Sequence, residues 1–163
     1  MSDLEFMVGA EWQGDARAGR GILTTGAQRV VYSSPSSMGG NGAGTNPEEL
    51  LIAAVASCYS IGLAALLQKA GLPVASIEVQ ATALITGFPL ATAFNKIIVS
   101  PTITSARPAR AAKYEKAAQT ARDRCFIGRM LPKAVVYEVG IVTTVASSRT
   151  TVSQRGGGTV PTP

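Results

Sequence analysis

The stretch GTNPEELLIAAVASCYSIGLAALLQKAG, residues 44–71, decides how this chain folds. Asn46 can act as a helix N-cap, Pro47 suits the first helical position, and Glu49 three residues after the cap fits a capping box. Glu48 and Glu49 match the positive end of a helix dipole and Lys69 the negative end. Gly71, with Pro73 beyond it, marks the stop. These signals predict one helix over 47–70, about 36 Å long at a rise of ~1.5 Å per residue. It is apolar on nearly every side, with a single cysteine, Cys58, in its middle. Residues 50–67 are just long enough to span a bilayer, but Ser57, Cys58, Tyr59, Ser60 and Gly62 dilute the run, and nothing else in the chain is membrane-like. The helix is therefore expected in the centre of the fold, not in a membrane, covered by sheets or by a second copy of the chain. A homo-oligomer built around it follows as an expectation.

Outward from this helix the periodicity changes. Residues 5–12, 21–23 and 29–32 (RVVY) are β-compatible and are separated by turns at Gly14, Gly19 and Gly26. SSPSSMGGNGAG, residues 33–44, is too rich in glycine and serine for regular structure and is expected to be a mobile loop. On the other side, IEVQATALI (77–85) alternates as a half-buried strand does, and NKIIVSPTIT (95–104) is a second strand with Pro101 at an edge or a bulge. Pro108 opens a helix to residue 122, its apolar stripe made by Tyr114, Ala117, Ala118 and Ala121. CFIGRML follows, Pro132 ends it, and AVVYEVGIVTTV (134–145) is a last strand. The order of elements is that of an α+β domain. One domain is expected over 1–146, with a flexible Ser/Thr/Gly/Pro-rich tail over 147–163.

Composition narrows the chemistry. With 163 residues, 46% of them hydrophobic, the chain can bury a real core. It contains no histidine, which removes Ser-His and Cys-His nucleophile designs, and two distant cysteines make no metal-ligand set. No cofactor is implied. The opening MSDLEFMVGAEWQGD has no basic-then-apolar run, so a cytoplasmic, reducing location is expected, where cysteines are more often reactive than structural. The net charge of +5 raises the question of nucleic acid. Eight basic residues, including Arg107, Arg110, Lys113 and Lys116, fall between 107 and 133, spaced as on a helix and without interleaved aromatics. A solvated helix face accounts for them, and no nucleic-acid partner is expected.

The two cysteines remain. By its helical, apolar context Cys58 could be a small buried hydrophobe. Cys125 lies in RDRCFIGR, near Arg122, Arg124 and Arg129, and cations raise a thiolate fraction. The two could form a reversible disulfide if the fold brings them together.

GTNPEELLIAAVASCYS resembles the G-T-N-P-E-[EQ]-L…A-C-[FY] segment of the OsmC/Ohr family of organic hydroperoxide reductases. WQGDARAGRG…TTG (12–26) is similar to that family's opening strand pair, and MGGNGAG and a second, late cysteine match as well. The resemblance spans residues 12–145. It implies an OsmC-like fold, with antiparallel sheets wrapped around a long central helix in an intertwined homodimer. It implies that Cys58 is the peroxidatic cysteine, oxidised to a sulfenic acid by an organic hydroperoxide, and that Cys125 resolves it to a disulfide. It further implies a dithiol reductant of lipoyl type, such as a lipoylated protein.

Glu48 matches the TNPE glutamate, and Arg17, counted back without gaps from the Gly-rich loop, matches the N-terminal arginine; Arg20 is its rival. Such an arginine would stabilise the thiolate and the displaced oxygen, with Glu48 holding the guanidinium. Ten residues along a continuous helix is ~15 Å of rise. Either the NPEE segment bends away or Glu48 serves the Cys58 of the other subunit. Two departures stand out: SSPSSM before the loop holds no base, and Cys125 is followed by Phe-Ile-Gly where Pro-x-Ser is common. The competing expectation is a non-enzymatic homodimer that binds a small ligand or lipid in its apolar cleft, with inert thiols.

Overall fold

A computed structural model of the chain describes residues 3–146; the tail expected over 147–163 lies outside the described residues. The long helix, α1, runs unbroken over Pro47–Lys69. Asn46 Oδ1 accepts the Glu49 N–H at 2.8 Å, which fixes its start. The capping box is only half made, because the Glu49 carboxylate takes the Thr45 hydroxyl instead of turning back to the cap. At the far end Gly71 adopts φ +60, Leu72 N–H donates to the Leu67 carbonyl and Gly71 N–H to that of Gln68. That is a Schellman stop, and it uses glycine because the left-handed backbone there disfavours a Cβ.

Three strands precede α1: β1 (Val8–Gln13), β2 (Arg20–Thr25) and β3 (Gln28–Tyr32), an antiparallel meander. Every residue of β1 is exposed. The segment between β3 and α1 is more ordered than its composition suggests. A short 3-10 turn covers Ser36–Met38, and Ser33, only 1% exposed, donates its N–H to the Thr45 carbonyl and its hydroxyl to that of Ala43. Thr45 N–H returns to the Val31 carbonyl, so β3 is stapled to the start of α1. Backbone hydrogen bonds do here what side-chain periodicity could not announce.

After α1 come β4 (Ile77–Thr86) and β5 (Ala93–Thr104), a long antiparallel hairpin with a bulge that leaves Asn95 as the extra residue. A 3-10 turn at Pro108–Arg110 leads into α2 (Ala111–Arg124). The expected last strand is two: β6 (Val136–Val139) and β7 (Thr143–Val145), both parallel to β5. The second sheet is therefore mixed, and α2 supplies the crossover that parallel pairing needs. Pro101 sits within β5 after the pairing with β6 stops at Val99 and before the pairing with β7 starts at Thr102. A residue without an N–H fits that interruption.

Alternation along β4 and β5 sends Ile97, Val99, Pro101 and Ile103 inward, paired with Ala83, Ala81, Val79 and Ile77. Onto this face α1 lays Val55, Tyr59, Leu63 and Leu67, all fully buried at a spacing of four. From α2, Tyr114, Ala117, Ala118 and Ala121 close the core, as their spacing predicts. Tyr114 also donates its hydroxyl to the Pro73 carbonyl at 2.8 Å, tying the end of α1 to α2.

Only one face of α1 is covered. Along another face Ala53, Ser57, Ile61 and Ala65 lie exposed, Ile61 by 72%. The helix has the length and apolarity of a membrane span; one stripe of it packs into the core, and the opposite side is exposed among the described residues. Truncating Leu63 to alanine in the buried stripe should cost about 2–5 kcal/mol of stability, read as a lowered midpoint of urea unfolding.

Candidate active site

Cys58 sits on α1 three residues after Val55 and one before Tyr59, so it flanks the buried stripe and its side chain is half-buried. Cys125 caps the C-terminal end of α2 and is 3% exposed. The fold brings them together. Both line one cleft of ≈ 370 Å³ formed by Ile61, Gly62, Ala65 and Leu66 of α1 with Ala121, Arg124 and Phe126. Both cysteines are free thiols, close enough that Cys58 affects the ionisation of Cys125.

Cys125 is held by its surroundings on three sides. Its sulfur accepts the Gly128 N–H at 3.2 Å, and its S–H faces the Val55 carbonyl at 3.9 Å. Tyr137 of β6 stands beside it with a buried hydroxyl that no hydrogen bond of ordinary geometry satisfies. Gly128 is required for space: a Cβ there would sit 3.2 Å from the Cys125 sulfur and run into the Tyr137 ring. Burial pushes the Cys125 thiol above its ordinary value, the Gly128 N–H and the Tyr137 hydroxyl oppose that shift, and neighbouring Cys58 adds to it. Burial, then the proximity of Cys125, likewise raises Tyr137, so its hydroxyl keeps its proton.

Glu48 and Arg17 lie elsewhere. Because α1 is continuous, Glu48 is ~15 Å along its axis from Cys58, so the bend that would let one chain use both is not present. Its Oε2 is buried with no hydrogen-bond partner among the described residues. Arg17 occupies the exposed turn between β1 and β2, whose shape is set by Asp15: that carboxylate accepts the N–H groups of Arg17 and Ala18, both at 2.8 Å. Those bonds hold Asp15 below the usual carboxylate range. Arg20 borders a different concavity of ≈ 290 Å³, on the three-stranded sheet with Glu11, Gln13, Gly21, Ile22 and Val31. The cation that lines the cysteine cleft of the same chain is Arg124. Its neighbour Arg122 is turned inward to the Tyr137 carbonyl and to Asp123. Tyr137 and Gly128 carried no signal in the sequence, since a tyrosine in a strand and a glycine after a helix are commonplace.

A two-cysteine cleft between a half-covered central helix and the end of a second helix, in an α+β frame, defines a thiol protein of distinctive architecture. The chain belongs to the OsmC family: residues 39–139 match the family described as OsmC-like protein. It is 31% identical over 134 residues to the uncharacterized protein YmaD of Bacillus subtilis, covering 80% of this chain and 89% of that one. It is 27% identical to peroxiredoxin OsmC of Escherichia coli, covering 79% and 91%. Among solved structures, an OsmC-like protein from Mycoplasma pneumoniae superposes with a TM-score of 0.72 at 15% identity, covering 88% of this chain and 99% of the other. An organic hydroperoxide resistance protein OsmC from Legionella pneumophila gives 0.65 at 18%, covering 89% and 100%. The OsmC-like fold expected from the TNPE…C segment is thus the fold observed.

The raised Cys125 thiol has a consequence for stability. Above the ordinary thiol value of 9.0, the unfolded chain loses this proton while the folded chain keeps it. Its contribution is therefore complete below that pH and is lost as pH rises through the folded value. The reduced protein should lose stability from about pH 9 upward, and Cys125→Ser should flatten that loss, measured by urea unfolding over the window below tyrosine ionisation.

Proposed function

We propose that the protein is a cysteine-based peroxidase that reduces organic hydroperoxides to alcohols. The observation that carries this reading is that Cys58 and Cys125 line one apolar cleft in a chain of the OsmC family. Relatives named as a peroxiredoxin and as a hydroperoxide resistance protein support it. The Cys58 thiolate attacks the terminal oxygen of the hydroperoxide; the O–O bond breaks, the alkoxide leaves and takes a proton, and Cys58 becomes a sulfenic acid. The Cys125 sulfur then attacks the Cys58 sulfur, water departs, and a disulfide joins the two. A dithiol of lipoyl type returns both to thiols. The cleft wall of Ile61, Ala65, Leu66, Ala121 and Phe126 favours a bulky apolar peroxide over hydrogen peroxide.

The working unit in this proposal is a homodimer. The exposed α1 stripe around Ile61 and the wholly exposed β1 are apolar and backbone surfaces that a second copy would cover. Glu48 Oε2, buried without a donor among the described residues, would take a guanidinium in this reading. With ~15 Å of helix between Glu48 and Cys58, an Arg17 held by Glu48 would serve the cysteine of the partner subunit.

Mass spectrometry before and after one equivalent of cumene hydroperoxide tests the reading. The expected product has lost two hydrogens and carries a peptide link between Cys58 and Cys125. Cys58→Ser should abolish turnover, and Cys125→Ser should consume one peroxide and stop at the sulfenic acid. Thiols that stay unreactive across about pH 6–9 would favour the inert small-ligand binder instead. Arg17→Gln should lower kcat/KM about 10²–10³-fold and Arg20→Gln far less; the reverse order would move the role to Arg20. Ile61→Asp should shift the sedimenting species from dimer to monomer.

A further inference from the structure

The buried hydroxyl of Tyr137 is unexplained by the peroxidatic step. It stands beside the Cys125 sulfur, has no hydrogen-bond partner among the described residues, and belongs to a partly buried side chain of β6 packed against the core. A buried, unsatisfied hydroxyl costs free energy, and phenylalanine would fill the same space without that cost. The neighbouring geometry shows what it awaits. Gly128, kept bare of a side chain, lets its N–H reach the sulfur at 3.2 Å while the Tyr137 ring packs against the same glycine. The Gly128 N–H thus already reaches the buried sulfur, the unpartnered Tyr137 hydroxyl acts on the same sulfur to oppose the effect of burial, and a sulfur anion would use both donors.

We propose that Tyr137 is a positioning residue for the reductive half of the cycle, its hydroxyl and the Gly128 N–H forming a two-donor seat for the Cys125 thiolate. This rests on the dithiol-reduced peroxidase reading above. One thiolate of the reductant attacks the Cys58 sulfur, the more accessible of the pair. A reductant–Cys58 bond forms, the Cys58–Cys125 bond breaks, and its electron pair goes to Cys125, which is released as the thiolate and later takes a proton from water. The second reductant thiol, having given its proton to water, then attacks its own partner sulfur and releases Cys58. Stabilising the thiolate that leaves accelerates the first exchange and directs it to Cys58, because exchange is faster when the departing sulfur is the better anion.

The groups facing Cys125 are few. Cys58 approaches it from α1, Arg124 lines the shared cleft from α2, and Tyr137 comes from β6, with Tyr59 and Arg122 behind Tyr137. Removing Cys58 leaves the seat intact and needs no peroxide. In a Cys58→Ser background, Tyr137→Phe should move the ultraviolet thiolate titration of Cys125 upward. With both cysteines present and joined by diamide, the same change should slow reduction by dithiothreitol about three- to tenfold, with Tm unchanged or higher.

A titration and a reduction rate that both stay put, with the fold intact, would overturn the proposal. If Tyr137→Phe does not fold, 3-fluorotyrosine incorporated into Cys58→Ser protein supplies the opposite perturbation. A stronger donor should move the titration downward, and no movement would overturn the seat. Failure of diamide to join the cysteines would defeat the peroxidase reading and this proposal's reductive step, while the titration would still report whether Tyr137 holds the anion.

Discussion

The structure depends on the one-sided burial of α1. Val55, Tyr59, Leu63 and Leu67 repeat every four residues and disappear into the face of the second sheet and α2. Full burial of such side chains is worth roughly 1.5–3 kcal/mol each, so this stripe fixes the rotation of the helix about its axis. Once that rotation is set, every other residue of α1 has an assigned direction. Cys58 falls on the flank of the stripe, neither in the core nor in open solvent, where the end of α2 closes over it. Its half-buried placement is a consequence of which neighbours are large and apolar.

That rotation also separates the characters of the two sulfurs. Cys58 opens onto a cleft with an apolar wall that, among the described residues, includes one guanidinium, that of Arg124. Cys125 is sealed by the turn that ends α2, and its ionisation is opposed by burial and favoured by two local donors. An accessible thiol beside a buried one is the asymmetry that a two-step thiol cycle uses: the first meets reagents, and the second meets only the first. Apolar packing delivers this difference without any histidine, a residue the sequence lacks.

Much of this was legible before the coordinates. The limits of α1 could be read from Asn46, Pro47 and Gly71 because caps are local chemistry, and the β4 and β5 pattern because alternation is local too. That Cys58 and Cys125 share one cleft was only a possibility in the sequence, made specific by the family resemblance, since the approach of residues 58 and 125 depends on how α2 docks. The order in residues 33–44 was missed because it rests on backbone hydrogen bonds, and the split into β6 and β7 because one apolar run conceals where a sheet edge is interrupted opposite Pro101. Gly128 and Tyr137 were illegible for a related reason. Their significance is a matter of atoms converging on one sulfur from two elements, and no spacing along the chain encodes that.

Three features that look separate share one physical cause in the proposed dimer. A helix apolar on all sides is covered by its own chain on one. A carboxylate oxygen at its start is buried without a donor. An arginine turn, shaped by Asp15, projects from a sheet whose first strand is wholly exposed. Each is a deficit for a single chain, in apolar cover, in charge and in sheet packing respectively. A two-fold partner supplies all three at once, because whatever one copy lacks the other presents in the same place. The ~15 Å between Glu48 and Cys58 then ceases to be an obstacle: it is the offset expected when a cation gripped at one helix start reaches the sulfur midway along the other helix. On this view the pairing of chains and the ionisation of Cys58 are parts of one arrangement, and the thiol becomes a competent nucleophile only where two copies meet.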